Sequence, residues 1–188
     1  MSMKKLLPIV LGAAISMTAH ASDTVEGSLS NDAVKVDMSL DQGKYFFDAG
    51  GMYHTDDGKY GYIGAHIEDI DTAKDYPVQI GLGMRLMAID TEYDVDNAGM
   101  AIALGGFYRY TFPKANRFSV LGSLYYSPKV LSFQNIDSMY QAEIRGEYRT
   151  LRNARVFLRY GLTSVDLESY RDDVDMNKGV AIGVSATF

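Results

Sequence analysis

The sequence predicts an all-β protein, an antiparallel up-and-down transmembrane β-barrel of eight to ten strands. Three observations predict it. After residue 22, apolar residues recur at every second position in one segment after another. Short turn sequences separate these segments, and the chain ends in mid-strand on an aromatic residue. A period of two residues gives a strand one apolar and one polar face, whereas a helix would scatter the charges around its circumference.

The start of the chain has the organisation of a secretory signal peptide. Two lysines precede an apolar run over residues 6–17, and Ala19-His20-Ala21 ends the segment. The run is too short for a membrane-spanning helix, which needs about 20 apolar residues. We therefore predict a signal peptide over residues 1–21, export through the Sec pathway, and a barrel over residues 22–188.

Strands of the N-terminal half alternate between apolar residues and small or charged ones. Near residues 33–41, apolar residues occupy the even positions and Lys35, Asp37 and Ser39 the odd ones. Near residues 77–90, even apolar positions again oppose glycines and Arg85. The turn sequence Asp56-Asp57-Gly58 separates two further segments, as expected for strands joined by hairpins.

The C-terminal half contains the clearest alternation. Over residues 138–149, tyrosine, alanine, isoleucine and glycine take the even positions, and glutamine, glutamate and arginine take the odd ones. The segments before and after it are bounded by Pro113-Lys114-Ala115-Asn116 and by Leu151-Arg152-Asn153. These turns predict further antiparallel strands connected by hairpins.

The strand count is open between eight and ten. Nine segments carry the pattern, near residues 33–41, 44–54, 59–69, 77–90, 98–112, 117–128, 138–149, 154–167 and 178–188. A closed bacterial barrel has an even number of strands. Either Thr24 to Leu29 adds a short tenth strand, or two segments form one bent strand. The connection from Asp69 to Tyr76 is then expected at the periplasmic end of the barrel. It is long for that end, where bacterial barrels have short turns.

Segment length and aromatic residues favour a membrane barrel over a soluble sandwich. Several segments last ten residues or more, whereas strands of soluble proteins average about 5–6 and a membrane strand needs about 9–11. The apolar faces also carry tyrosines near their ends, as in the aromatic girdles of outer-membrane barrels. The terminal strand, which ends at Phe188, resembles the last strand of such barrels, and this resemblance implies that Phe188 is recognised by the barrel assembly machinery. A soluble periplasmic β-sandwich remains the alternative fold.

Charged residues of both signs alternate with the outward apolar positions and are predicted to face the lumen. This lumen set comprises Lys35, Asp37, Asp48, Arg85, Arg109, Glu143, Arg145, Glu147, Arg149, Arg155 and Arg159. Opposite charges at inward positions indicate a mostly salt-bridged interior or a narrow path rather than a wide pore. The excess of arginine would make such a path favour anions.

The sequence contains no recognisable catalytic, cofactor or metal site. It has no cysteine, which excludes thiolate chemistry and cysteine-ligated metals. His54 beside two aspartates is interpreted as part of a solvated turn, and His66 as an interior side chain near Glu68. The acidic stretches 90–96 and 168–175 lack the spacing of a calcium loop. A net charge of −6 argues against nucleic acid as a partner.

Several short motifs resemble the YfaZ-type outer-membrane protein family of Gram-negative bacteria. They are Val25-Glu26-Gly27 with Asn31-Asp32, Tyr125-Tyr126-Ser127-Pro128, Tyr140-Gln141-Ala142, and the terminal strand with Gly179, Gly183 and Phe188. The resemblance implies an outer-membrane β-barrel, sometimes called porin-like, and it implies no catalytic residues.

The expected function is that of a small, non-enzymatic outer-membrane barrel with a structural or narrow-channel role. Its expected partners are outer-membrane lipids, including lipopolysaccharide, and the barrel assembly machinery. Two alternatives remain open. One is a surface adhesion or interaction barrel that acts through its acidic extracellular loops, and the other is a lipid- or peptide-modifying barrel enzyme.

Overall fold

The computed structural model describes residues 23–71, 77–91, 98–167 and 174–188. These residues form eleven strands: β1 (Thr24–Leu29), β2 (Ala33–Asp41), β3 (Phe46–His54), β4 (Gly58–Asp71), β5 (Val78–Thr91), β6 (Ala98–Thr111), β7 (Phe118–Ser127), β8 (Ser132–Gln134), β9 (Ile136–Leu151), β10 (Ala154–Leu167) and β11 (Val174–Thr187). Two single-turn 3₁₀ helices, Pro113–Ala115 and Lys129–Leu131, lie in connections. The described residues contain no helix long and apolar enough to cross a membrane. The predicted signal peptide lies outside them.

Ten of the strands close into an antiparallel barrel. Each pairs with its two neighbours in the barrel. β5 pairs with both β4 and β6, β7 pairs with β9, and β1 closes the barrel by pairing with β2 and β11. The short β8 pairs with β6 at Gly99–Ala101, beyond the end of β7. The prediction of an all-β up-and-down barrel is therefore confirmed, and Thr24–Leu29 is its tenth strand.

One strand begins earlier than the alternation indicates. The sequence pattern predicts the last segment from residue 178, whereas β11 starts at Val174. The pairing of β10 with β11 shifts register between Gly161 and Thr163, and Asn177 has a φ of 55°. This β-bulge inserts an extra residue into β11, which interrupts the period of two and hides the first residues of the strand from the sequence pattern.

Each end of the barrel has its own set of connections. The start of β1, the end of β11 and the turns at residues 42–45, 112–117 and 152–153 lie at one end, which we call the terminal rim. The turns at residues 30–32 and 55–57 and the connection from β7 to β9 lie at the other end, the distal rim. Gly43, with a φ of 86°, allows the tight turn between β2 and β3 at the terminal rim.

The two faces of every strand differ in their surroundings. Outward side chains are exposed and mostly apolar, with Leu82, Ile144 and Ile182 each more than half exposed. Inward side chains are polar in the half of the barrel near the terminal rim and apolar in the half near the distal rim. The folded protein therefore exposes its apolar strand faces and encloses its charges.

Candidate functional site: the outer belt and the lumen

A continuous apolar belt surrounds the barrel. Its exposed members come from every large strand and include Val34, Ile63, Ile67, Leu82, Met84, Leu104, Leu124, Ile144, Leu158, Val180, Ile182 and Val184. Monomeric soluble proteins rarely expose apolar surface on this scale. The belt is the kind of surface that lipid-facing strands present.

Aromatic side chains border the belt at both rims. At the terminal rim, Phe118 and Tyr148 pack with ring centroids 4.8 Å apart. At the distal rim, Tyr126 and Tyr140 are partners across β7 and β9. Tyr140 and Tyr148 lie on the same outward face of β9, eight residues or about 27 Å apart along the strand. With the tilt typical of such barrels, this corresponds to about 20 Å across the belt, close to the apolar height of an outer-membrane barrel.

A network of charged groups crosses the lumen near the terminal rim, centred on the buried Glu147. Its carboxylate lies 3.0 Å from Arg109 and from Arg145, and 4.0 Å from Arg155. Arg145 also bonds Glu26 at 2.7 Å. The network thus ties β1, β6, β9 and β10 together through their inward faces.

The same network continues through neutral amide groups to the opposite wall. Arg109 donates to the side-chain oxygen of Gln79 at 2.5 Å, and the Gln79 amide donates to Glu68 at 2.6 Å. Glu68 lies 3.9 Å from the ring of His66, whose other nitrogen is 2.7 Å from Asp48. His66 is therefore held as an interior side chain, stacked on Phe46 with ring centroids 4.9 Å apart.

A second network occupies the middle of the lumen and is centred on Lys35 and Glu143. Lys35 contacts Asp37 at 3.1 Å and Glu143 at 3.4 Å. Arg159 reaches the same Glu143 carboxylate at 3.4 Å and donates to the Ser28 hydroxyl. Because these carboxylates face cations directly, the cost of burying them is offset by charge pairing.

Apolar side chains fill the lumen between this second network and the distal rim. This distal cluster consists of Ala33, Met52, Tyr60, Tyr62, Met87, Ile89, Ala101, Ala103, Tyr125, Ile136, Met139, Val165, Leu167, Val174 and Met176. Met87, Met139 and Met176 are completely shielded from solvent. A cavity of about 410 Å³ lies on the other side of the cluster, lined by the charged networks and reaching the terminal-rim residues Thr24 and Thr187. The lumen is thus a polar vestibule at one end and a packed core at the other.

Comparison with known families identifies the chain. The family model described as YfaZ precursor matches residues 3–188. The chain belongs to the YfaZ family. The resemblance predicted from the short motifs is thereby confirmed, and the word precursor agrees with the signal peptide expected at the start of the chain. A search of the curated proteins finds no match.

In this YfaZ-family barrel, most residues predicted for the lumen belong to the two networks, which meet where Arg145 lies 3.7 Å from Glu143. Asp48 instead pairs with His66. Arg149 lies at the terminal rim, where it donates to the main-chain carbonyl of Asn116. Arg85 contacts neither network and bonds the amide oxygen of Gln141 at 2.9 Å.

The predicted lumen set omits three interior groups of the YfaZ-family barrel. Glu26, Glu68 and Gln79 join the terminal-rim network, and of these the sequence indicates only Glu68, as a neighbour of the interior His66. Each of the three is flanked along its strand by outward apolar or small residues. The alternation of the strand therefore predicts that its side chain faces inward. With these acids included, the cavity lining carries acidic and basic groups in near balance, which removes the basis for expecting anion preference from arginine content alone.

Other candidate residues lie apart from the lumen. His54 accepts main-chain hydrogen bonds from Asp56 and Asp57, as expected for part of a turn. Residues 92–96 and 168–173 of the acidic stretches lie outside the described residues. At the described end of the second stretch, Lys178 donates to Asp175 at 2.8 Å, so this carboxylate already has a cationic partner. Among the described residues, no group of three potential ligands could hold a metal ion.

Proposed function

We propose that this protein lies in the outer membrane of a Gram-negative cell, with its terminal rim in the periplasm. The closed barrel with an apolar outer belt and a charged interior carries the proposal, because lipid satisfies the belt while hydrogen bonds between strands satisfy the backbone. Export through the Sec pathway, insertion by the barrel assembly machinery through Phe188, and contact with lipopolysaccharide at the distal rim belong to the same proposal.

Within the membrane, the proposed role is structural or that of a narrow, normally closed channel. The paired charges and the distal cluster support this role over that of a wide diffusion pore, because side chains occupy most of the lumen. We propose further that the protein is not an enzyme. His54 is committed to its own turn, and His66 is enclosed between Asp48 and two aromatic rings.

Cysteine labelling tests the proposed location and orientation, since the natural chain contains no cysteine. Asp56→Cys places a thiol at the distal rim and Asn153→Cys places one at the terminal rim. A membrane-impermeant maleimide added to intact cells is expected to label D56C alone, and N153C only after the outer membrane is permeabilised. Labelling of N153C but not D56C on intact cells would reverse the orientation, and labelling of neither would place the protein inside the periplasm.

Planar-bilayer recording tests the proposed role. The purified protein, checked for heat-modifiable gel mobility, is expected to be silent or to show only small, rare steps. A large and steady conductance would contradict a closed lumen and would indicate a diffusion pore.

A further inference from the structure

Among the residues that the structure describes, one buried cation in the lumen has no carboxylate within ion-pair distance. Lys35, Arg109, Arg145, Arg155 and Arg159 each lie within 4.0 Å of a carboxylate oxygen. Arg85, on the inward face of β5, has no such contact among the residues that the structure describes. Its Nη1 donates to the neutral amide of Gln141, and its Nε is buried without a hydrogen-bond partner in the described part of the chain.

Two aromatic rings hold the Arg85 guanidinium in place. Its central carbon lies 4.4 Å from the centroid of Tyr62 and 3.8 Å from that of Tyr125. Cation–π contacts of this kind stabilise a desolvated guanidinium. They fix the plane of the group, but they cover its faces only and do not satisfy the N–H donors along its edge.

The carboxylates nearest in the fold are committed to other partners. Asp37 contacts Lys35 at 3.1 Å and accepts a hydrogen bond from the Tyr62 hydroxyl at 2.6 Å. Asp48 lies 2.7 Å from His66. Neither is within ion-pair distance of Arg85, so the described part of the chain places acids around this charge without a direct counter-ion.

The surroundings of Arg85 leave room for a ligand. The cavity of about 410 Å³ is lined by Arg85, Tyr62, Tyr125, Gln141 and the hydroxyl-bearing Ser123. Its inner end lies against the distal cluster, and its mouth opens toward the terminal rim. A buried charge without a counter-charge is costly. An anion that reached this point would therefore be stabilised by direct pairing with the Arg85 guanidinium.

We propose that the inner end of this cavity binds a small anion, of the size of chloride or a short carboxylate, as the counter-ion of Arg85. The anion meets the guanidinium edge while Tyr62 and Tyr125 cover its faces. The other interior cations named above each lie within 4.0 Å of a carboxylate oxygen of the protein, so Arg85 is the position among them where an external anion would be the direct counter-ion. This inference depends on the fold and on the cavity, and it does not require that the barrel conduct.

Chloride-35 NMR tests the site directly. The full chain is expressed with its own leader, and the protein is purified in a non-ionic detergent. Wild-type protein is expected to broaden the chloride line beyond the detergent blank, and acetate is expected to reverse the broadening by competition. Arg85→Gln should lose this excess broadening, whereas Arg155→Gln, at an arginine with a carboxylate neighbour, should keep it. Arg85→Lys should restore part of it.

Two results would overturn the proposal. The first is wild-type broadening that equals the detergent blank or that of R85Q. The second is equal loss in R85Q and R155Q, which would indicate diffuse attraction to interior charge. If R85Q does not reach the heat-modifiable folded form, bromide-soaked crystals of the wild type decide the question. An anomalous peak beside Arg85 supports the site, and its absence at an otherwise ordered guanidinium contradicts it.

Discussion

At the residue scale, Glu147 is a centre of the ion pairs that connect the interior near the terminal rim. Its side chain is only 2% exposed, and three arginines converge on it. Removing one member of a buried ion pair leaves the others uncompensated, at a cost of about 3–5 kcal/mol. Glu147→Gln keeps the shape of the side chain but removes its charge. We expect this variant to unfold at lower urea concentration, with a loss near the lower end of that range because the cavity admits water.

The exposed ion pair between Lys178 and Asp175 provides the matched comparison. Lys178 is more than half exposed, although its 2.8 Å contact is as short as those inside the barrel. Exposed pairs contribute little because solvent screens them. Urea unfolding of Lys178→Gln, followed by tyrosine fluorescence, is expected to match the wild type within error. If E147Q and K178Q both unfold at the same urea concentration as the wild type, the interior network does not stabilise the barrel.

At the scale of single elements, β1 closes the barrel. It has six residues, and each is paired on both sides, with β2 and with β11. Without β1, the facing edges of β2 and β11 would expose unpaired backbone groups, which lipid cannot satisfy. A short strand with modest alternation is therefore essential to closure.

Substitution at Gly27, in the middle of β1, tests this role. A Cβ atom at Gly27 would meet no atom within 4 Å, so Gly27→Ala is expected to fold normally. Gly27→Pro removes the backbone N–H and cannot maintain the ladder in a strand paired on both sides. We expect G27P to lose heat-modifiable mobility and to be degraded in cells. Normal folding of G27P would show that the barrel closes without an intact β1.

Strand boundaries show where local pattern is a sufficient guide. The limits of β1 and β2 agree with the sequence pattern, because alternation runs unbroken through both. The pattern does not predict the start of β11, because the bulge places consecutive residues on the same face. It does not predict the short β8 either, since a three-residue strand has too few positions to display a period.

At the scale of the whole molecule, the lumen has two unlike halves. The polar vestibule opens at the terminal rim, and the distal cluster blocks the opposite half. Water and ions entering from the terminal rim would stop at buried methionine and tyrosine side chains. We therefore expect the distal cluster to decide whether the barrel conducts.

Removing two methionines from the distal cluster should open the lumen. Met87 and Met139 are fully buried inside, whereas Met84 and Met100 lie on the outward faces of β5 and β6. We expect the double variant Met87→Ala, Met139→Ala to show frequent conductance steps in planar bilayers. Each buried substitution costs about 2–5 kcal/mol, so heat-modifiable mobility must be checked first.

The outward pair M84A and M100A is the control and is expected to conduct as rarely as the wild type. A folded M87A, M139A double variant that stays silent would show that the charged networks, rather than the distal cluster, close the path.

The alternation of residues along the chain is enough to predict the fold class and the face of nearly every strand side chain, and short motifs are enough to indicate the family. The assignment of faces is a local property, because the two-residue period of a strand places each residue on one face regardless of its neighbours in space. Opposite charges at inward positions, such as Glu147 and Arg145, are therefore assigned to the lumen by strand parity alone.

Which interior groups meet depends instead on the closed barrel. Arg145 bonds Glu26 across 119 residues of sequence, and the stagger of strands around the barrel sets that contact. The same stagger leaves Arg85 between two tyrosines without a carboxylate and gathers the methionines at one end of the lumen. Such partnerships depend on strand register around the whole barrel, and no segment of the chain contains that information by itself.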